Sequence, residues 1–240
     1  MRTLPTLLGL ALCVTVNAAP CDPVKGTGEV VKRTITVDAI HGIKVMGSMD
    51  VVLTQAATQS IEIEAQANIA ELVSTTVRNG IWYLDTEKSY STTKDFIVRI
   101  SVPNIDLVHI DGSGDVRATS RFTGNDVDLA IAGSGDMTMD YAANNIEASI
   151  SGSGTIRVSG ECAALKAAIA GSGDVIATKL NAAKADVAIA GSGDISLTAQ
   201  ESLHASIAGS GNVTYRGKPT AIHKDIAGSG EVRTMESMAY

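Results

Sequence analysis

Asp115, Asp136, Asp174, Asp194 and Glu231 each directly follow a Gly-Ser-Gly. They stand in "HIDGSGDV" (109–116), "AIAGSGDM" (130–137), "AIAGSGDV" (168–175), "AIAGSGDI" (188–195) and "DIAGSGEV" (225–232). Two more copies, "SISGSGTI" (149–156) and "SIAGSGNV" (206–213), carry Thr155 and Asn212 at that place. Glycine-rich turns beside an acid or a serine serve phosphate cradles, nucleophile elbows and calcium-binding β-rolls. A phosphate cradle needs a strand-to-helix turn with a G-x-G-x-x-G spacing. Arg117 stands where the first copy would need its third glycine, and strand-like alternation follows instead of a helix. A nucleophile elbow is G-x-S-x-G with a histidine and an acid gathered around one serine. A tandem G-S-G does not fit that geometry. His41, His109, His204 and His223 show no paired spacing, and each reads as a lone surface or loop histidine.

Calcium is the strongest of the three chemistries. The calcium-binding nonapeptide repeat G-G-x-G-x-D-x-U-x also builds a parallel β-roll, but with a glycine turn about every nine residues. Here one glycine unit recurs about every 19 residues, so the pattern matches by half. Asp115, Asp136, Asp174, Asp194 and Glu231 should form one outward row of candidate Ca²⁺ ligands. The competing reading makes them turn acids that accept backbone N–H bonds. Carboxylates one rung apart repel by about 1 kcal/mol in water and ~3–4 kcal/mol at an effective dielectric of 20, and Thr155 and Asn212 interrupt the row. No other cofactor is implied. A polysaccharide-active enzyme would want two carboxylates facing a groove and aromatic platforms. Trp82, Phe96 and Phe122 are the only Trp and Phe in the chain. No catalytic residue is expected, and a carbohydrate-binding module remains the alternative to a structural role.

The elements that position these acids follow from spacing. The opening glycines fall at 112, 133, 152, 171, 191, 209 and 228, with successive intervals of 21, 19, 19, 20, 18 and 19. Within each unit the apolar residues alternate, as in Leu165-x-Ala167-x-Ile169 and Ile195-x-Leu197, which is the signature of strands. Two short strands, a glycine bend and a variable loop ("YAANN", "SGECAA", "KLNAAK", "TAQES", "RGKPT") describe one coil of a β-solenoid. A single coil cannot bury its own apolar side, so coils stack. Ile131, Ile150, Ile169, Ile189, Ile207 and Ile226 should form one internal ladder. Lys224 falls on the inward phase of the last coil, where its charge suggests fraying or a cap.

Residues 34–108 read as β-rich without the repeat: "TITV" (34–37), "IEIEAQ" (61–66), "IWYLDT" (81–86) and "FIVRISV" (96–102), with turn signals at Asn79-Gly80 and Pro103-Asn104. "KVMGSMDVVL" (44–53) looks like a degenerate first glycine unit, with Met49 replacing the second glycine. A helical turn is credible only within 68–77. Residues 1–18 read as a signal peptide: Arg2, an apolar run from Leu7 to Val16, and a small-residue site that predicts cleavage after Ala18, with Ala19 the alternative. Residues 19–33 read as a linker, 109–234 as the solenoid and 235–240 as a tail. Of Cys13, Cys21 and Cys162, the first leaves with the signal, and a Cys21–Cys162 bridge is a minority expectation.

The formal charge of −7 becomes −8 once Arg2 is removed. No cluster of Lys and Arg offers a nucleic-acid surface, and nothing after residue 18 reads as a membrane span. The repeated I-x-G-S-G-D-[VI], "IKVMGSMDVVLTQ", the V-x-N-G-x-W-x-L of 77–84 and "VPNIDLVHIDGSGDV" resemble the DUF2807 proteins, the autotransporter-adhesin "head GIN" domain. The resemblance covers residues 34–234. It implies a right-handed parallel β-helix-like fold in exported bacterial proteins with no established activity. Only "MESMAY" follows residue 234, so self-transport is not expected. The reading is therefore an all-β solenoid of about seven ~19-residue coils behind a β-rich N-terminal region. It would act as a non-catalytic structural or adhesin-like module, periplasmic or extracellular. Its expected partners are an envelope protein or glycan, with self-association through open rod ends.

Overall fold

A computed structural model describes residues 22–235. The expected signal sequence, its cleavage site and Cys21 lie outside the described residues. Apart from one turn of helix, Ala67–Ala70, the regular structure is all strand. That turn falls where the sequence made a helix credible, but it is shorter, and Val77–Arg78 is already a strand.

The glycine units stack in register. Gly42–Gly47, Leu107–Gly112, Phe122–Gly133, Asp136–Gly152, Thr155–Gly171, Asp174–Gly191, Asp194–Gly209 and Ala221–Gly228 form one parallel ladder, each pairing with the next. Gly47 pairs with Gly112, so the degenerate unit is the first rung of the array. A second parallel ladder begins after each bend, from Asp50–Gln55 through Val116–Ala118 to Val232–Thr234.

The tripeptide is a steric solution. At Gly133 φ is +141°, a region L side chains rarely adopt, and an added Cβ would sit 2.1 Å from the Gly112 carbonyl oxygen. At Gly135 the same atom would meet the Gly114 oxygen at 2.2 Å. Only glycine lets successive bends nest this closely, and the nesting lets Ser134 N–H donate to the Gly112 oxygen at 3.0 Å. Ser134 itself points to solvent.

The core is a set of stacked columns. Ile131, Ile150, Ile169, Ile189 and Ile207 are each at most 2% exposed, and each such burial contributes about 1.5–3 kcal/mol. Ile226 departs from the expected ladder. It pairs with Ile207 but is 44% exposed, because no further rung covers it among the described residues. Lys224 does lie in the inward column, opposite Ala205, and its Nζ donates to the Val232 carbonyl at 2.8 Å. It therefore caps its own coil.

Four of the five variable segments are strand, and only "RGKPT" leaves the ladder, at residues 217–220 between Val213–Arg216 and Ala221–Gly228. Asp136–Gly152 and Thr155–Gly171 each run 17 residues as continuous strand, and "YAANN" pairs with "GECAA" across the coils. Length differences are absorbed by register shifts, as between Arg157 and Ser159, rather than by excursions. Small residues at these positions allow the chain to keep its ladder hydrogen bonds around the corner.

The N-terminal end is built differently. Ile81–Leu84 and Ile97–Val102 lie parallel to the first rung. Ser60–Gln66 then pairs antiparallel with Ile97–Val102, and Val30–Ile35 pairs antiparallel with Ser60–Gln66. Part of the expected linker is thus a strand. Asn79 and Gly80, at φ +52° and +73°, make the tight turn between Val77–Arg78 and Ile81–Leu84. Trp82 is fully buried behind them, with Nε1 donating to the Ser74 carbonyl at 2.9 Å. Among the described residues no helix is long and apolar enough to cross a membrane.

Candidate functional site

The bend places the five acids in one column, and the carboxylates of the four aspartates each meet the backbone of the next coil. Asp115 Oδ1 accepts the Asp136 N–H at 2.9 Å, Asp136 Oδ1 that of Thr155 at 3.1 Å, and Asp174 Oδ1 that of Asp194 at 3.1 Å. Asp194 Oδ1 accepts both the backbone N–H and the side-chain amide of Asn212, at 2.8 and 3.0 Å. Asn212 Oδ1 in turn accepts the N–H of Glu231 at 3.2 Å. Asp50 begins the series by accepting from Asp115 N–H at 3.1 Å, and burial, its largest influence, pushes its carboxyl above the usual carboxylate range. Thr155 offers no such acceptor, and the next N–H, that of Asp174, turns to the Gly154 carbonyl at 3.1 Å. Each aspartate of the column therefore satisfies a backbone donor of the next coil, while the Glu231 carboxylate lies 3.7 Å from Arg233. Asp136 has a further partner in Arg157, whose NH1 donates to Oδ2 at 3.0 Å.

A different face carries a groove of about 800 Å³ that crosses the last coils. Register makes its chemistry. Glu147, Lys166, Asp186, His204 and His223 occupy one column on five successive coils. Lys166 Nζ donates to Glu147 Oε1 at 2.7 Å, and that contact holds the ammonium above its usual pKa. Leu165 and Leu203 lie buried beneath its floor, the exposed Ile222 supplies apolar lining, and Lys184 adds a second ammonium.

At the open end of this groove the histidines converge. His204 Nδ1 lies 3.1 Å from Asp186 Oδ1, and its Nε2 lies 3.4 Å from Asp225 Oδ2. His223 Nε2 is 2.9 Å from that same Asp225 oxygen. The two rings stack with centroids 5.1 Å apart. One donor atom from each of His204, His223 and Asp225 lies within 4.8 Å of the others. Reading these histidines as lone side chains missed the cluster. The available signal was their separation, since 204 and 223 differ by one coil. The other two are also engaged: His109 Nε2 meets Asp128 Oδ2 at 2.9 Å, and His41 Nδ1 meets Asp106 Oδ1 at 2.8 Å.

No histidine among the described residues hydrogen-bonds a serine hydroxyl, so no Ser-His pair is assembled there. Cys162 is buried, and burial pushes its thiol up to about 11, which keeps it protonated and a poor nucleophile.

Residues 40–219 match the family model DUF2807, "Putative auto-transporter adhesin, head GIN domain". Among curated proteins none matches the chain. A "putative adhesin" from Bacteroides fragilis superposes with a TM-score of 0.82 at 22% identity, over 88% of this chain and 100% of that one. A "putative lipid binding protein" from Parabacteroides distasonis follows at 0.73 and 24% identity, covering 90% and 100%. A "putative adhesin" from the same species reaches 0.72 at 25%, covering 89% and 100%. None of these names is that of an enzyme.

Proposed function

The chain belongs to the DUF2807 family, and on that premise we propose that it is an exported, non-catalytic binding module of the cell envelope, adhesin-like in action. The groove across the last coils carries this reading. It presents Glu147, Lys166, Asp186 and His204 at fixed rung spacing on a scaffold whose backbone hydrogen bonds run along the stack. Such a surface favours an extended polar ligand that bears both hydroxyl and charged groups, as an envelope glycan or a protein segment does. Ile222, which is exposed, gives it apolar contact beside the charges. Rigidity helps, because a preformed surface spends little binding free energy on ordering itself. Export is supported by Arg2, the apolar run and the small-residue site at residues 16–18.

The test uses the full chain, labelled and added to whole cells and to an array of envelope polysaccharides. Saturable binding that falls at least tenfold in a K166A/D186A variant of unchanged melting temperature is the expected outcome. Binding indifferent to that variant would remove the groove from the reading, and turnover of any polysaccharide would remove the non-catalytic assignment. Amino-terminal sequencing of the exported protein should begin at Ala19. A calcium-dependent module is separated by the same assay, since EGTA would then abolish binding.

A further inference from the structure

We propose that His204, His223 and Asp225 form a site for a divalent transition-metal ion of the zinc class, which clasps the terminal strand to the coil beneath it. His204 belongs to Asp194–Gly209, whereas His223 and Asp225 belong to Ala221–Gly228, so a bound ion would bridge two rungs. The donor set is what zinc takes: two imidazole nitrogens and one carboxylate oxygen, with a fourth position left open to solvent. Ligands of one tetrahedral zinc stand roughly 3.3–3.5 Å apart, given metal–ligand distances of about 2.0–2.2 Å. The observed separations of 3.4 Å from His204 Nε2 and 2.9 Å from His223 Nε2 to Asp225 Oδ2 need only small side-chain rotations.

A second feature is independent of these three ligands. Asp186 Oδ1 lies 3.1 Å from His204 Nδ1, so that with Nδ1–H donating to Asp186 the Nε2 atom, on the Asp225 side, would be the ligand. This carboxylate–histidine pairing is the usual support behind a metal-bound imidazole. Asp186 and Asp225 also set two carboxylates beside the two imidazoles, and a bound dication would offset their charge. Nitrogen donors set the preference for zinc-class ions over Ca²⁺, which takes an all-oxygen shell. The location gives the ion a structural task, because every residue of Ala221–Gly228 is exposed and the strand pairs on one edge only. The site is separate from the acid column and shares Asp186 and His204 with the groove, but it takes zinc alone and is read without any envelope ligand.

The experiment uses the full chain without a histidine tag, stripped with chelator and titrated with zinc chloride by calorimetry. One zinc per chain is expected, with micromolar or tighter affinity. H204A and H223Q should each weaken it at least tenfold, and D186N about tenfold through the outer shell. Cobalt should give a visible ligand-field spectrum that H223Q abolishes. Hydrogen exchange should slow in residues 221–228 on zinc addition and stay unchanged in residues 155–171. All three side chains are at the surface, so circular dichroism should show folded variants. Absence of saturable zinc binding overturns the proposal. So does binding that persists in the H204A/H223Q double variant, or a cobalt spectrum insensitive to it.

Discussion

The two ends of the rod obey the same ladder and finish it in opposite ways. At the N-terminal end Ser60–Gln66 reverses direction against Ile97–Val102, and it buries Ile61 and Ile63 to 1% and 0% exposure. The outermost strand there, Val30–Ile35, carries Lys32 and Arg33, and Lys32 pairs with Glu62 at 3.0 Å. At the C-terminal end the parallel ladder runs out at Ala221–Gly228, and Ile222 and Ile226 are 43% and 44% exposed. The contrast shows that a repeat carries its own stacking rule but no instruction for stopping. Stopping takes either a change of strand direction, as at one end, or charged residues on an open edge, as His223, Lys224 and Asp225 provide at the other.

The comparison breaks most severely at the glycines. G171A puts a Cβ 2.4 Å from the Gly152 oxygen in a positive-φ residue at the middle of the stack. It should cost about 3–6 kcal/mol in denaturant unfolding, from backbone strain plus overpacking. G47A, on the first rung, meets nothing within 4 Å and should cost only the strain, about 1–3 kcal/mol. Equal losses at the two positions would refute the nesting argument.

Next come the isoleucines. I63A at the covered end should lose about 2–5 kcal/mol, whereas I226A at the open end should stay within about 0.5 kcal/mol. I226K should lower self-association in light scattering without shifting the melting temperature. A large loss at Ile226 would mean that the open end is covered in solution.

The acid column gives a smaller version of the same contrast. Asp194 accepts two hydrogen bonds from Asn212 in the rung above, so D194A should cost about 1–2 kcal/mol. Glu231 has no rung above it among the described residues, and E231A should change stability by less than about 0.5 kcal/mol. Because the Asp Oδ1 atoms already hold backbone donors, millimolar Ca²⁺ should leave the melting temperature unchanged. A rise reversed by EGTA would reinstate calcium at the column.

The smallest effect concerns pH at the covered end. The hydrogen bond to Asp106 raises His41 above its ordinary value of 6.5, against an opposing effect of burial. Folding therefore gains from the protonated ring. That stability is fully present below about pH 6.5, the unfolded value, and is lost as pH rises through the folded value. Both side chains are partly exposed, so the contribution should stay under about 1 kcal/mol. D106N should flatten it, and an NMR titration should find the His41 pKa above its ordinary value in the unaltered chain and lower in D106N.

Much of the fold was legible in the residues. The glycine intervals fixed the coil length, and period-two alternation named Ile131 through Ile207 as inward. "KVMGSMDVVL" declared itself a first rung despite Met49. "YAANN", "SGECAA", "KLNAAK" and "TAQES" misled because their polar and Gly content reads as loop, yet parallel pairing with neighbouring coils keeps them in strand, whereas "RGKPT" does leave it at 217–220. Ile226 misled because alternation reports which way a side chain points and says nothing of whether another layer follows. The histidine cluster was hidden for a third reason. Residues one coil apart are neighbours in a solenoid as i and i+4 are in a helix, and His204 with His223, or Glu147 with Lys166, must be read at that interval.

By itself, then, the sequence determined the repeat, the inward columns and the requirement for glycine at the bend, since each follows from local geometry repeated in every coil. Only the tertiary structure decided which charged side chains meet and which end is covered. Contacts between coils depend on the accumulated register, including coils of 20 and then 18 residues between Gly171, Gly191 and Gly209 whose bulges reset it. Burial depends on what lies beyond the last strand, which no residue of that strand can specify.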